Sequence, residues 1–227
     1  VDDVCDLAPD LVLANQEENT RGDLEKLAQR GVRVLVAFPK RVQGGLAHLA
    51  RLARVLGVQN DSQVKDLFRR GYDAVRRAED ARARTTPVRA FCPIWMDPLM
   101  TIHGATFISD MLDLSGAQNV FADRERRYPL AADLGGATPI APGERDVRYP
   151  RVTLDEVIAR APALVILPDE PHPFSEADAD VFRALPVRAE VVHTSGKDLS
   201  WYGAQSIDGL DRVRALVAAS RPESPKA

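Results

Sequence analysis

Residues 8–17 read APDLVLANQE, and residues 161–170 read APALVILPDE. Pro9 aligns with Pro162, Val12 with Val165 and Glu17 with Glu170, each at an offset of 153. A chain that repeats itself at this distance is confined to architectures built from two related halves. In each copy a helical pattern precedes the motif, at 1–7 and 154–160, and a second helical stretch follows it, at 20–30 and 175–185. A further apolar run closes each copy, GVRVLVAF at 31–38 and PVRAEVVH at 186–193. There Val32 and Arg33 align with Val187 and Arg188 at an offset of 155, a drift that a small loop insertion accounts for. The runs are rich in Val, Leu and Ile without polar alternation, as parallel strands covered on both faces should be. Helices between them supply right-handed crossovers. Any α/β chain repeats such units, so the shared APxLVxL and VR positions carry the duplication more than the element order does. The pattern predicts two α/β lobes with parallel sheets.

Between the copies, Val64, Leu67, Phe68, Gly71, Val75 and Ala78 recur at threes and fours, which predicts one amphipathic helix from Asp61 to Ala83. Asp61 or Ser62 caps its start, and Thr85-Thr86-Pro87 ends it. At 1.5 Å per residue such a helix extends roughly 34 Å, enough to cross a small domain. Arg69-Arg70 and Arg76-Arg77 share a face interleaved with Asp66, Asp73, Glu79 and Asp80, and read as a solvated face rather than a phosphate stripe. The organisation is therefore a lobe over residues 1–60, a connecting helix over 61–84, a second lobe over 85–220, and a frayed tail over 221–227. In the second lobe a strand is expected at Val88–Pro93 and a helix at Gly104–Leu114 that stops at Gly116. Residues 123–150, with Gly135-Gly136, Pro139, Pro142 and Gly143, read as a long loop. The first copy shows only two strands, a poor sheet alone, so more chain is expected upstream.

Composition narrows the function. Lys plus Arg is 30 against 33 for Asp plus Glu, a net charge of -3 that excludes a general nucleic-acid binder. No apolar run approaches the roughly 20 residues that span a bilayer. Cys5 and Cys92 form no disulfide framework, and His48, His103, His172 and His193 show no metal-ligand spacing. Catalytic constellations are weak. SGKD at Ser195–Asp198 lacks the first glycine of a phosphate loop, since position 191 is Val. Cys92 lies in an apolar strand run, where a buried inert thiol is the better reading than a nucleophile paired with His103. Glu17-Glu18 and Asp169-Glu170 stand at equivalent strand ends and read as helix-starting acids rather than as a carboxylate pair.

Open parallel sheets bind ligands beyond the carboxyl ends of their strands. Those ends fall at residues 15–19, 38–39, 94–100, 168–174 and 193–202. Trp95, Trp201, Tyr202, Phe38 and Phe174 all lie there, in a chain that is only 6% aromatic, and Tyr149 ends the long loop nearby. Such a concentration predicts a cleft for a large, flat or apolar ligand, although each single ring is as readily explained by packing.

Taken in order, APDLVLANQEEN, PIWMDPLMT, RYPRVTLDEV, ILPDEP and GKDLSWYG resemble the cobalamin/siderophore-type periplasmic binding proteins with a helical backbone, within them the cobalamin-binding proteins of ABC importers. The resemblance spans about residues 2–216. It implies the class III periplasmic-binding-protein fold, two Rossmann-like lobes joined by one long helix, and a first lobe lacking roughly 50 residues and a strand. It implies cobalamin contacts at Asn15, Tyr149, Ser200, Trp201 and Tyr202, with Trp95 as a neighbouring wall. Where the family's best-known pattern has tryptophan after PDLVxA, this chain has Asn15; where it has aspartate before the SWY tryptophan, this chain has Ser200; and the arginine expected shortly after is Ala204 or Gln205. Carboxylates that dock a permease dimer, one per lobe, fall on Asp2 and on Asp155, with Glu156 beside it.

The function this implies is that of a monomeric substrate-binding component of an ABC importer, periplasmic or at the cell surface, with no catalytic cofactor and a corrinoid as transported ligand. An iron-siderophore or haem-type chelate is the alternative ligand, and Arg124, Arg126, Arg127, Arg145 and Arg148 supply the charge for it. Two further readings are a cytoplasmic binder without an importer and an enzyme on the same scaffold.

Overall fold

The computed structural model describes residues 1–221. The tail expected at 221–227 therefore lies outside the described residues but for Arg221. The chain divides into two compact units, Val1–Pro39 and Lys40–Ala227.

In the first unit, helix α1 (Asp2–Asp6) precedes strand β1 (Val12–Asn15), helix α2 (Arg21–Gln29) and strand β2 (Val34–Ala37). β1 and β2 pair in parallel, Val12 opposite Val34 and Asn15 opposite Ala37, and α2 is the crossover that a parallel pair requires. Thr20 starts α2 by accepting the N–H of Asp23 at 3.3 Å. The acids Glu17 and Glu18 are thus not its cap. Arg30, at the other end of α2, ion-pairs with Asp2 and ties α1 down.

The second unit opens with helix α3 (Val42–Val55) and helix α4 (Ser62–Arg82). Strand β3 (Val88–Phe91) leads into a hairpin of β4 (Pro93–Met96) and β5 (Leu99–Thr101), then helix α5 (Phe107–Leu114) and strand β6 (Ala117–Asn119). After the short helix α6 (Leu130–Asp133) come helix α7 (Leu154–Arg160), strand β7 (Leu164–Pro168), helix α8 (Glu176–Arg183) and strand β8 (Glu190–Thr194). Helices α9 (Gly196–Ser200) and α10 (Gln205–Ala219) finish the unit. Its sheet has the order β6-β3-β7-β8, all parallel, and is separate from the β1-β2 pair. The molecule is a mixed α/β protein with parallel sheets.

β7 explains the unalternating apolar run of the second copy. Leu164 and Ile166 point into a cluster with Met111, Leu199 and Leu210 from α5, α9 and α10. Val165 and Leu167 point the opposite way, against Val157 and Phe182 from α7 and α8. Both faces are buried, so period two leaves no polar position.

α4 is the predicted long helix, 21 residues with Asp61 accepting the N–H of Gln63 at 2.7 Å. Its small face sits close to its neighbours: a Cβ on Gly71 would lie 2.7 Å from Leu46 Cδ2 and 3.2 Å from Ile207 Cδ1. Two of its arginines bond the facing helix, Arg70 to Asp208 and Arg77 to Asp211, each at 3.1 Å. Arg69 and Arg76 instead bond Asp66 and Asp73 within α4. α3 packs on α4 and α5 and so groups with the second unit, whereas the sequence boundary at residue 60 placed it in the first lobe.

Two segments read as loops carry structure. The segment 94–100 is mostly the β4-β5 hairpin, closed by the tight turn at Asp97-Pro98. The excursion 123–150 contains α6 and is clasped at its root. Arg124, 4% exposed, donates to the Asp133 carboxylate at 3.1 Å, to the Glu156 carboxylate at 3.1 Å and to the carbonyl of Asp133 at 2.8 Å. Asp133 in turn accepts the backbone N–H of Arg127 at 2.6 Å and of Arg151 at 3.2 Å. A buried charge pair holds only when its remaining lone pairs and protons are satisfied, and here they are.

Candidate functional site

The loop that leaves β7 organises the aromatic residues of the second unit. Asp169 accepts the N–H of Gly196 at 2.6 Å, fixing the start of α9 against the end of β7. Gly196 is obligatory there, because a Cβ would stand 2.7 Å from Glu170 Cβ and 2.8 Å from the Glu170 backbone nitrogen and oxygen. Glu170 accepts the indole N–H of Trp201 at 3.0 Å. The sequence reading of Asp169 and Glu170 as acids that start the next helix is therefore corrected. Ser175 and Asp178 form that cap, and Asp169 and Glu170 hold α9 and Trp201.

Trp201 remains 50% exposed, its indole N–H tethered, with the Lys197 ammonium 5.0 Å from its ring centroid. Trp95, 42% exposed, is fixed in the same manner: its indole N–H donates to the Asp97 carbonyl at 3.0 Å. Its ring lies 5.4 Å from that of His172, which stands edge-on to Phe174 at 4.6 Å. Both tryptophans thus lean on one loop, Trp201 through Glu170 and Trp95 through His172. Large rings left exposed yet oriented by hydrogen bonds offer flat faces without an entropic cost at the moment of binding.

The remaining expected residues are placed differently. Tyr202 is half-buried, its ring edge-on to Phe107 at 6.0 Å and to His48 at 6.1 Å. Its backbone oxygen would be 2.9 Å from a Cβ on Gly45, so it also wedges α3 against α5. Ser200 donates its hydroxyl to the Gly196 carbonyl at 2.8 Å inside α9. Tyr149 packs on the same core cluster as Tyr202, with the Arg148 guanidinium 5.1 Å over its ring. Asn15, in the first unit, shapes its own turn: its side-chain oxygen accepts the N–H of Glu17 at 2.8 Å, and its N–H donates to Asn19 at 2.9 Å.

Of the carboxylates expected to dock a permease, Asp155 is exposed at the start of α7. Glu156 closes a capping box with Thr153 and accepts from Arg124, so its carboxylate has structural duties. Asp2 is exposed and paired with Arg30, whose hydrogen bond and charge lower its pKa.

The polar anchor of this region is Asp198 on α9. It receives both arms of Arg212 at 2.6 Å and the amide of Gln205 at 2.8 Å, and the Arg212 hydrogen bond holds its carboxyl below the usual range against the opposing effect of burial. Cys92 is fully buried and its pKa is pushed up to about 12 by that burial, so no thiolate is available near neutrality. His103 spends its Nδ1 accepting the N–H of Ala105 at 3.0 Å, beside a cavity of 620 Å³ that Lys40, Asp110 and Asn119 also line. Sequence reasoning missed the holders Glu170, His172 and Lys197. Their signal was position alone, since all three stand in strand-end segments already marked by their aromatics.

No family model matches the chain. It is 26% identical over 168 residues to a vitamin B12-binding protein of Yersinia pestis, a match covering 74% of this chain and 51% of that protein. The chain thus spans about half the length of the curated relatives it matches. Among solved structures, the periplasmic vitamin B12-binding protein BtuF of Vibrio cholerae superposes with a TM-score of 0.72 at 18% identity, over 96% of this chain and 78% of that one. A periplasmic haem-binding protein of Roseiflexus, RhuT, superposes with a TM-score of 0.70 at 17% identity, over 96% and 79%. The fold expected from the motifs is the fold these proteins share, and no helix among the described residues is long and apolar enough to cross a membrane.

Proposed function

We propose that this chain, a relative of the vitamin B12-binding proteins with the fold of periplasmic binding proteins, is the substrate-binding component of an ABC importer whose ligand is a corrinoid. One observation carries the reading: both tryptophans stand half-exposed on strand-end segments of the second unit, each tethered by its indole N–H rather than sunk in the core. A corrinoid offers a broad face to such rings, and each stacked indole contributes about 0.5–1.5 kcal/mol beyond its area burial. Tyr149, Tyr202 and Ser200 are the further candidates on the second unit, and Asn15 is the candidate on the first unit's own loop. Burial takes the Cys92 thiol out of consideration as a nucleophile, which favours binding over catalysis.

A haem-type chelate is the second reading, and a specific observation favours it. Lys197 places a cation over one face of the Trp201 ring, within reach of the rim of a macrocycle stacked on that indole, which suits a macrocycle with carboxylates. Docking to a permease dimer falls to Asp155 in the second unit and to Asp2 in the first, giving register and steering more than affinity.

The test is to incubate the protein with cobalamin, remove free ligand and record the visible spectrum, then titrate the protein and Trp201→Ala by calorimetry. Retained corrinoid with weaker binding in the variant supports the reading. Equal affinity in the two moves the site away from Trp201, and retention of hemin with no corrinoid turns the assignment to the second reading.

A further inference from the structure

Lys197 is exposed on α9, and its ammonium lies over Trp201. It forms no ion pair with any carboxylate among the described residues. Glu170, the nearby acid, spends an oxygen on the Trp201 indole N–H. Asp169 accepts from Gly196, and Asp198 is taken by Arg212 and Gln205. Each of these three carboxylates thus accepts a hydrogen bond from another group, and the Lys197 ammonium rests against the ring face. An ammonium over an indole is attracted by the ring quadrupole, but weakly at an exposed site, so it exchanges readily for a true counter-ion.

We propose that Lys197 is a specificity-determining residue that pairs with an oxyanion substituent of a flat macrocycle stacked on Trp201, an inference that rests on the binding reading above. The shared chemistry is a negatively charged oxygen projecting from the rim of a planar ligand. It has two sources: the phosphodiester of a corrinoid's nucleotide loop, or the carboxylates of a porphyrin. The neighbouring Ser200 hydroxyl is already spent on the Gly196 carbonyl, so it does not compete for that role. Gly196, packed on Glu170 without room for a Cβ, fixes the backbone from which Lys197 projects.

The experiment titrates the whole chain and Lys197→Met with four probes, by quenching of indole fluorescence: cobalamin, cobinamide (which lacks the phosphodiester), hemin, and hemin dimethyl ester (which lacks the free carboxylates). Methionine keeps an unbranched apolar stem over the ring and removes the charge. For the macrocycle that binds, the wild type should prefer the oxyanion-bearing form over its partner by about tenfold or more beyond the preference shown by Lys197→Met. Whatever the nucleotide base or the ester groups contribute by themselves cancels between the two proteins, so the difference isolates Lys197. The corrinoid and porphyrin pairs tell the two oxyanion sources apart. An identical preference in wild type and variant, with binding intact, overturns the Lys197 assignment and leaves the binding reading standing. Failure of all four probes to bind overturns both.

Discussion

Arg124 and Asp133 meet at 3.1 Å inside the second unit, their side chains almost wholly shielded from solvent. The pair is the centre of a larger clasp. Arg124 also reaches Glu156 at the start of α7 and the carbonyl of Arg151, while Asp133 gathers two backbone N–H groups from either end of the excursion. Removing Asp133 would leave the buried Arg124 with Glu156 as its one remaining ion-pair partner and would strip the Arg127 and Arg151 backbone N–H groups of their acceptor.

Asp133→Ala should therefore destabilise the second unit by about 3–5 kcal/mol. Urea unfolding followed by circular dichroism reads the loss, and limited proteolysis should cut between residues 127 and 150. A change below about 1 kcal/mol with the excursion still resistant would show that the clasp is not what orders it.

Asp198 gives stability a pH dependence. Its folded pKa lies below its unfolded value of about 3.9, so its contribution is present above that value and lost as pH falls through the folded one. Asp198→Asn should lower stability by about 1–3 kcal/mol at pH 7 and by progressively less below about pH 4. Melting curves of both proteins across this range check the convergence; a constant gap would exclude the Arg212–Asp198 pair as its source.

The two thiols should separate cleanly. Cys92 is buried with a raised pKa, whereas Cys5 is half-buried in the first unit. Alkylation with iodoacetamide at pH 8 should label one thiol per native chain, at Cys5, and both only in denaturant. Rapid labelling of Cys92 in the native protein would contradict its burial.

Glu170 is a positioning residue for Trp201. Glu170→Ala should release the indole, raising the rotational freedom of Trp201 in time-resolved fluorescence anisotropy and weakening ligand binding about tenfold. That is the loss of one hydrogen bond to a charged group. Glu170→Gln keeps a side-chain acceptor and should restore both. Equal behaviour of the two variants would show that the carboxylate serves another purpose.

How much of this was legible depends on how local each signal is. α4 was readable to within a residue because its cap, Asp61, and its apolar spacing are contiguous in sequence. β7 was readable because burial on both faces leaves an uninterrupted apolar run. α3 escaped because Gly44-Gly45 lowers helix propensity, and the reason for Gly45 is tertiary: it lets Tyr202 approach. The β4-β5 hairpin was hidden because Pro93, which opens β4, read as the end of the preceding strand, and Pro98, in the turn between the strands, read as a loop signal. The exposed tryptophans could be placed at strand ends from their position alone. Their tethers could not, since Trp201 and Glu170 are 31 residues apart and nothing in either neighbourhood names the other. Tyr202 shows the same limit: no local feature distinguishes a ring that faces a ligand from one that also wedges two helices.

The clasp at Arg124 also separates what must be conserved in length from what is free to vary. It joins residues 124, 133 and 151, and a second tie pairs Tyr128 with Ile140. Between these ties, residues 134–139 bear little of the unit's core. Descendants of this chain can lengthen, shorten or rewrite that stretch without moving the strand ends or the roots of the excursion. The geometry thus confines variation to a rim beside a fixed frame, so that the scaffold is inherited unchanged.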